Sequence, residues 1–179
     1  MSKPYDVIII GAGPAGLSAG LYAGRARLRT LILEKAQEGG QIAQTAEIDN
    51  YPGSAEVESG PTLIDRMTAQ AKRFGAEFAY DTVEEVDFNG SIKTVKGVTD
   101  TYQARAVIIA AGATAIRVGC PGENEFTGRG VSYCATCDGA FFQDLEVYVV
   151  GGGDSAVEEA IFLTKFARKV TVVHRRDQL

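Results

Sequence analysis

The chain has 179 residues with 21 Gly, 5 Pro and 3 Cys, a formal net charge of −5, and hydrophobic and charged fractions of 45% and 23%. Those fractions are ordinary for a globular protein and exclude disorder, collagen and a disulfide scaffold; a mildly acidic chain without Trp gives no sign of a nucleic-acid partner. Glycine, at about 12% against a usual ~7%, is the outlier, and with Pro scarce it belongs at turns that need positive φ or close approach to a ligand.

Residues Met1 to Asp6 lead directly into a short apolar run broken by Gly11, with no small-residue cleavage site. No signal peptide is expected, and no apolar run reaches the ~18 residues of a membrane span. The chain therefore reads as cytoplasmic and without a membrane partner, and its cysteines as reactive or metal-binding rather than structural. Residues 7–16, VIIIGAGPAG, form a β-branched run followed by Gly11-Ala12-Gly13-Pro14-Ala15-Gly16. A strand opening through such a turn into a helix is a dinucleotide-binding pattern. The first glycine makes the tight turn, the second admits a pyrophosphate, and the third lets helix and strand pack closely. Pro14 suits the first helical turn. A second strand, Thr30 to Glu34, ends on a carboxylate 23 residues after Gly11. A carboxylate there accepts from ribose hydroxyls and repels a 2′-phosphate, which suits FAD or NAD.

Residues 37–60 lack periodicity and contain Gly40-Gln41 and Asn50-Tyr51-Pro52-Gly53. A long irregular segment within a compact domain is often functional, and its polar side chains could line a ring system. Pro61 to Phe74 reads as an amphipathic helix with Leu63, Ile64, Met67, Ala71 and Phe74 on its core face. Ala76 to Val98 alternates as short antiparallel strands with a hairpin turn at Asn89-Gly90. Ala106 to Ile109 is a buried strand that runs through Ala110 and Ala111 into a glycine turn at Gly112 and can return to the first sheet.

Cys134-Ala135-Thr136-Cys137-Asp138 follows. With a single His in the chain, a four-ligand zinc site is poorly supplied, even with Cys120 as a third sulfur. The better reading is a redox pair: two thiols one turn apart can close a disulfide, and a helix start lowers thiol pKa. Two buried cysteines remain the plain alternative. Asp138 could hand a proton to a leaving thiolate or relay one from flavin, or be an ordinary aspartate at a helix start. Cys120 is expected to be a small core hydrophobe.

Residues 147–156, VYVVGGGDSA, repeat the first motif 140 residues later. Gly151, Gly153 and Ala156 take the glycine positions, and Asp154, Ser155 and Glu158 open the helix, with Ser155 to Glu158 in a capping-box pattern. Ala156, Ala160, Leu163 and Ala167 fall on one helical face. The second strand of this copy, Val170 to Val173, ends on His174-Arg175-Arg176. Two guanidiniums there suit a 2′-phosphate, and so NADPH. Two different dinucleotides on one chain form the natural pairing of a flavin reductase. The basic character of this end, with Lys165, Arg168, Lys169, Arg175 and Arg176 against Asp177, fits that reading.

The first glycine motif, Gly40-Gln41, the Asn50 to Gly53 turn, residues 128–139 (GRGVSYCATCDG), residues 151–160 (GGGDSAVEEA) and His174 to Asp177 together resemble the low-molecular-weight thioredoxin reductases of bacteria. The resemblance spans the whole chain. It implies that NADPH reduces FAD and that FAD reduces a Cys134–Cys137 disulfide. Cys137 would be the flavin-proximal thiol, Cys134 the thiol that attacks thioredoxin, and Asp138 the acid. Lys35, Thr45, Asn50, Val83, Ala111 and Gly112 complete the expected FAD set with Gly11, Gly13, Pro14, Ala15, Gly16, Glu34, Gly40 and Gln41. A homodimer is implied for the full-length enzyme.

The expected fold is α/β: an FAD-binding Rossmann-like domain over 1–114 with a small antiparallel β insertion, then the start of a second, NADPH-binding Rossmann-like domain over 115–179, which also carries the dithiol. The chain departs from the family at Ala110-Ala111-Gly112, where Ala-Thr-Gly is common, and in stopping at Leu179. One βαβ unit cannot bury both faces of a parallel sheet, so the chain reads as the N-terminal part of a longer enzyme or as a genuine truncation. Two other readings stay open: a flavin-binding module without turnover, and a related flavoprotein reductase that serves a peroxidase partner.

Overall fold

A computed structural model describes residues 3–54 and 56–178. The leader reading touches Met1 and Ser2, the irregular segment contains Ala55, and the end of the chain is Leu179; these lie outside the described residues. The chain forms two compact units, 1–114 and 115–179.

The first unit is a six-stranded sheet in the order β3-β2-β1-β6-β5-β4. Its strands are β1 (Tyr5–Ile10), β2 (Thr30–Glu34), β3 (Glu77–Tyr80), β4 (Val83–Asp87), β5 (Lys93–Gly97) and β6 (Thr101–Ile109). Helix α1 (Pro14–Arg25) joins β1 to β2, and α2 (Gly60–Arg73) precedes β3. Strands β1 and β2 read as unbroken apolar runs because both faces are covered. Val7, Ile9 and Ile32 pack with Leu17 of α1 and with Ile64 and Ala71 of α2. Ile8, Leu31 and Leu33 point the other way, against Val95 of β5 and Ala104 of β6. The antiparallel arm thus bends over the second face. Truncating a fully buried side chain here, such as Ile9 to Ala, costs about 2–5 kcal/mol.

Two expectations change. The segment 76–98 is not wholly antiparallel: β3 pairs parallel with β2, Ile32 opposite Phe78, while β5 pairs antiparallel with both β4 and β6. The reason is topological. Helix α2 lies between β2 and β3, and a helical crossover returns a strand parallel to its neighbour. The returning strand is also longer than its apolar core. It starts at Thr101, and Ala104 is the pivot, paired with Lys93 of β5 on one side and Tyr5 of β1 on the other.

The second unit contains α3 (Glu123–Phe126), α4 (Ala135–Asp138), β7 (Glu146–Val150), α5 (Asp154–Leu163) and β8 (Lys169–Val173). Strands β7 and β8 pair in parallel, Val147 opposite Val170. Ala160 and Leu163 are buried, as the helical face predicts, but Ala167 lies beyond the end of α5. The expected capping box does not form: Gly153 is the N-cap, no side chain caps the helix, and Ser155 is an exposed residue of the first turn. Among the described residues no helix is long and apolar enough to cross a membrane.

Candidate functional site

The first glycine turn is built as its residue types demand. Gly11 has φ +106°, and a Cβ there would lie 2.3 Å from the Ala110 carbonyl oxygen, so only glycine fits between β1 and the end of β6. Its N–H donates to the Leu33 carbonyl at 2.8 Å. Gly16, in the first turns of α1, would place a Cβ 1.8 Å from the Gly11 oxygen. Gly13 differs. It is the extended N-cap of α1, and a Cβ there meets nothing within 4 Å. Backbone N–H groups at a helix start facing open space make an anion cradle, which fits a pyrophosphate. Pro14 opens α1, and Ala15 is exposed beside it.

Around this cradle the irregular segment folds back. Gly39 N–H donates to the Ala12 carbonyl at 2.8 Å, and a Cβ on Gly40 would lie 3.9 Å from the Gly13 Cα. Gln41 Nε2 donates to the Ala113 carbonyl, which ties the segment to the chain just past Ala111 and Gly112. Gly112 has φ +69°, and both residues are exposed. Glu34, at the end of β2, accepts from Ala12 N at 2.8 Å through Oε2, and from Lys35 N at 2.8 Å and Ala36 N at 3.3 Å through Oε1. A carboxylate has about four acceptor positions, so Oε2 keeps capacity for a ribose hydroxyl. The Lys35 side chain is exposed at the same strand end. The Thr45 carbonyl accepts from Gly60 N at 2.9 Å and closes the 3₁₀ turn Ile42–Gln44 against α2. Asn50 is exposed, and Val83 packs with the cluster on the second face of the sheet. Among the described residues no hydrogen bond joins either to the glycine turn, so the structure brings them to the cradle less directly than Gly40 or Gln41.

The second turn repeats the first. Gly151 N–H donates to the Val173 carbonyl at 3.0 Å, the counterpart of Gly11 and Leu33. Gly153 is the extended N-cap of α5 with nothing within 4 Å, as Gly13 is for α1. A Cβ on Gly151 would lie 2.8 Å from the Ala156 Cβ, so Ala156 closes the turn where Gly16 does in the first copy. His174 covers Gly152, where a Cβ would stand 2.0 Å from the imidazole Nδ1. Arg175 and Arg176 are exposed and form no ion pair among the described residues, leaving both guanidiniums open to an anion. Asp154, Ser155 and Glu158 are exposed along the first turns of α5.

In the same unit Cys134 and Cys137 form a disulfide with Cα atoms 5.3 Å apart. Cys134 is the N-cap of α4, and its Sγ accepts from Cys137 N at 3.3 Å. Gly139 lets this turn approach α5: a Cβ there would meet Phe162 at 3.3 Å and Leu163 at 3.4 Å. Asp138 closes the four-residue α4, within its first turn, and is the N-cap of the 3₁₀ turn Gly139–Phe142, so it does stand at a helix start. Its Oδ2 accepts from Ser132 Oγ at 2.6 Å, and the same hydroxyl accepts from Cys134 N at 3.1 Å. Cys120 is not a core residue; it is a free, exposed thiol in the irregular segment before α3.

Two buried carboxylates have no place in the sequence reading. Asp81 is 5% exposed and accepts from Thr99 N, Asp100 N and Tyr102 Oη. Burial opposes its charge, but these donors outweigh burial and hold the carboxyl below the ordinary aspartate range. Glu123, also 5% exposed, accepts from Tyr133 Oη at 2.7 Å, Val118 N at 2.9 Å and Gly119 N at 2.6 Å. Chiefly the Tyr133 hydroxyl, then the Val118 N–H, lowers its pKa despite burial. Apart from Tyr102 of β6, their donors lie along loops whose course no local pattern specifies. The Ser132 hydroxyl had a visible signal: a serine two positions before an N-cap commonly makes a side-chain turn.

The sequence profile described as pyridine nucleotide-disulphide oxidoreductase matches residues 5–179. A thioredoxin reductase of Peptoclostridium litorale is 59% identical over 179 residues, which are 100% of this chain and 57% of that protein. The crystal structure of thioredoxin reductase from Streptococcus pyogenes superposes with a TM-score of 0.91 at 53% identity, covering 98% of this chain and 57% of that one. Thioredoxin reductase from Giardia duodenalis gives 0.93 at 42% identity, covering 99% and 58%. The chain therefore spans a little over half the length of these relatives. With two dinucleotide turns, a C-x-x-C disulfide and a profile match over nearly its whole length, the chain belongs to the pyridine nucleotide-disulphide oxidoreductase family.

Proposed function

We propose that these residues serve an NADPH-dependent flavoprotein that reduces the disulfide of thioredoxin. One observation carries the reading: a single chain holds two matching open glycine turns whose strand ends differ in charge, together with a closed Cys134–Cys137 disulfide. Unit 1–114 is the FAD domain and unit 115–179 the NADPH and dithiol domain. The Gly13 cradle, Gly40, Gln41 and Glu34 hold FAD, with Lys35, Thr45, Asn50, Val83, Ala111 and Gly112 along its length. The Gly153 cradle, His174, Arg175 and Arg176 hold NADPH. Bound FAD supplies two-electron exchange between nicotinamide and disulfide.

The chain's own residues do the rest. Two electrons and two protons convert the Cys134–Cys137 disulfide to two thiols. Cys134 passes its proton to Asp138 and, as thiolate, attacks one sulfur of the thioredoxin disulfide. The S–S bond of the partner breaks, a mixed disulfide forms, and the departing sulfur takes a proton from Asp138. Cys137 then attacks Cys134 Sγ, restores the internal disulfide and releases the second partner thiol. A homodimer in the cytoplasm is part of the same proposal.

The test is NADPH oxidation with thioredoxin as acceptor. A Cys137→Ser protein should keep its flavin absorption and lose all disulfide reduction. Retained reduction would refute the dithiol role, and activity only with a peroxidase partner would move the assignment to that related reductase.

A further inference from the structure

Ser132 has no part in the chemistry described so far, yet one hydroxyl joins the two residues that carry it. A serine hydroxyl has one hydrogen and two lone pairs. Two acceptors face the hydrogen, Asp138 Oδ2 at 2.6 Å and the Cys134 carbonyl at 3.3 Å, and the shorter contact goes to Asp138; a lone pair receives Cys134 N–H at 3.1 Å. Asp138 N–H in turn donates to the Cys134 carbonyl at 3.1 Å. Ser132, Cys134 and Asp138 thus form a closed ring of hydrogen bonds around the dithiol turn, and no sulfur is part of it. Reduction of Cys134–Cys137 removes no donor or acceptor of the ring. The segment is also held from its other side, because the neighbouring Tyr133 hydroxyl is anchored on Glu123.

The geometry points to Ser132 as a positioning residue: its hydroxyl holds the Asp138 carboxyl turned toward Cys134, so that the acid stands where a thiolate leaves. The inference rests on Asp138 acting as the acid of the dithiol exchange and requires neither FAD nor NADPH. A short, charge-assisted hydrogen bond fixes orientation as well as attraction, and a catalytic group displaced by about 1 Å can lose on the order of a hundredfold in rate.

The experiment uses the 179-residue chain, reduced with dithiothreitol, freed of reductant and mixed with one of two disulfides. One is an alkyl disulfide (hydroxyethyl disulfide), whose thiolate must be protonated as it leaves. The other is an aromatic disulfide whose thiolate leaves without a proton. Ser132→Ala is expected to slow exchange with the alkyl disulfide by about tenfold or more and to leave the aromatic reaction within about twofold. Ser132→Thr, which keeps the hydroxyl, should restore the alkyl rate. In an Asp138→Asn background Ser132→Ala should add little. Equal slowing with both disulfides, no slowing with either, or the same slowing in the Asp138→Asn background would overturn the inference. Because flavin is absent from the assay, failure of the reductase reading would show in NADPH turnover and leave this result standing.

Discussion

A methyl group on Gly16 would stand 1.8 Å from the carbonyl oxygen of Gly11, so helix α1 can lie against the first glycine turn only if residue 16 has no side chain. Gly13, two positions into the same turn, faces open space. Packing accounts for Gly16, and in the proposed function a ligand accounts for Gly13. Gly16→Ala should lower the stability of the chain by about 1–3 kcal/mol through overpacking. Gly13→Ala should cost under about 1 kcal/mol, the loss of a glycine N-cap, and still weaken FAD binding strongly. Thermal denaturation and flavin titration of both variants check this, and equal stability losses would contradict it.

Arg175 and Arg176 are exposed, and in the proposed function they carry the choice of nicotinamide cofactor. Replacing both with Ala should raise the KM for NADPH by about tenfold to a hundredfold, the worth of one or two charge-assisted hydrogen bonds. The KM for NADH should stay unchanged. Equal effects on both cofactors would remove the 2′-phosphate assignment.

The Glu123–Tyr133 hydrogen bond should give the chain a stability window in pH. The Glu123 carboxyl is held below its ordinary 4.5, first by the Tyr133 hydroxyl and then by the Val118 N–H. A depressed carboxyl pKa contributes stability that is complete above the unfolded value and is lost as pH falls through the folded one. The Tyr133 hydroxyl is raised above its ordinary 10.0, first by Glu123. Its contribution is complete below that unfolded value and is lost as pH rises through the folded one. Melting temperatures of the unaltered chain and of Glu123→Gln should therefore differ by a constant amount between roughly pH 5 and pH 9 and converge outside that range. A difference that ignores pH would show that the pair does not titrate with folding.

How far the sequence foretells this structure depends on how local each constraint is. The glycine turns were legible because each position answers to the backbone within the same strand–turn–helix unit, as Gly11 with Leu33 and Gly151 with Val173 show. The partner of β3 was not, because alternation gives a strand's faces and says nothing about its neighbour. The capping-box pattern at Ser155 misled because Asp154 already lies inside the helix and Gly153 is its cap. Cys120 reads as a core residue by type alone, but it lies in a segment without regular structure that no strand or helix covers. Asp81 and Glu123 escaped notice because burial of a carboxylate depends on donors from loops, such as Thr99, 18 residues beyond Asp81. The dithiol turn stands between these cases: its cysteines were plain from spacing and the Ser132 turn onto Cys134 N had a local signal, but the bond from Ser132 to Asp138, six residues on, had none.

The most direct measurement counts the thiols of the FAD-loaded protein, without oxygen, before and after NADPH is added. Cys120 is a free thiol throughout and serves as the internal standard. The account predicts that NADPH makes Cys134 and Cys137 newly available to a thiol-specific mass tag, and only when FAD is present. A flavin that is reduced by NADPH while Cys134–Cys137 stays closed would contradict it.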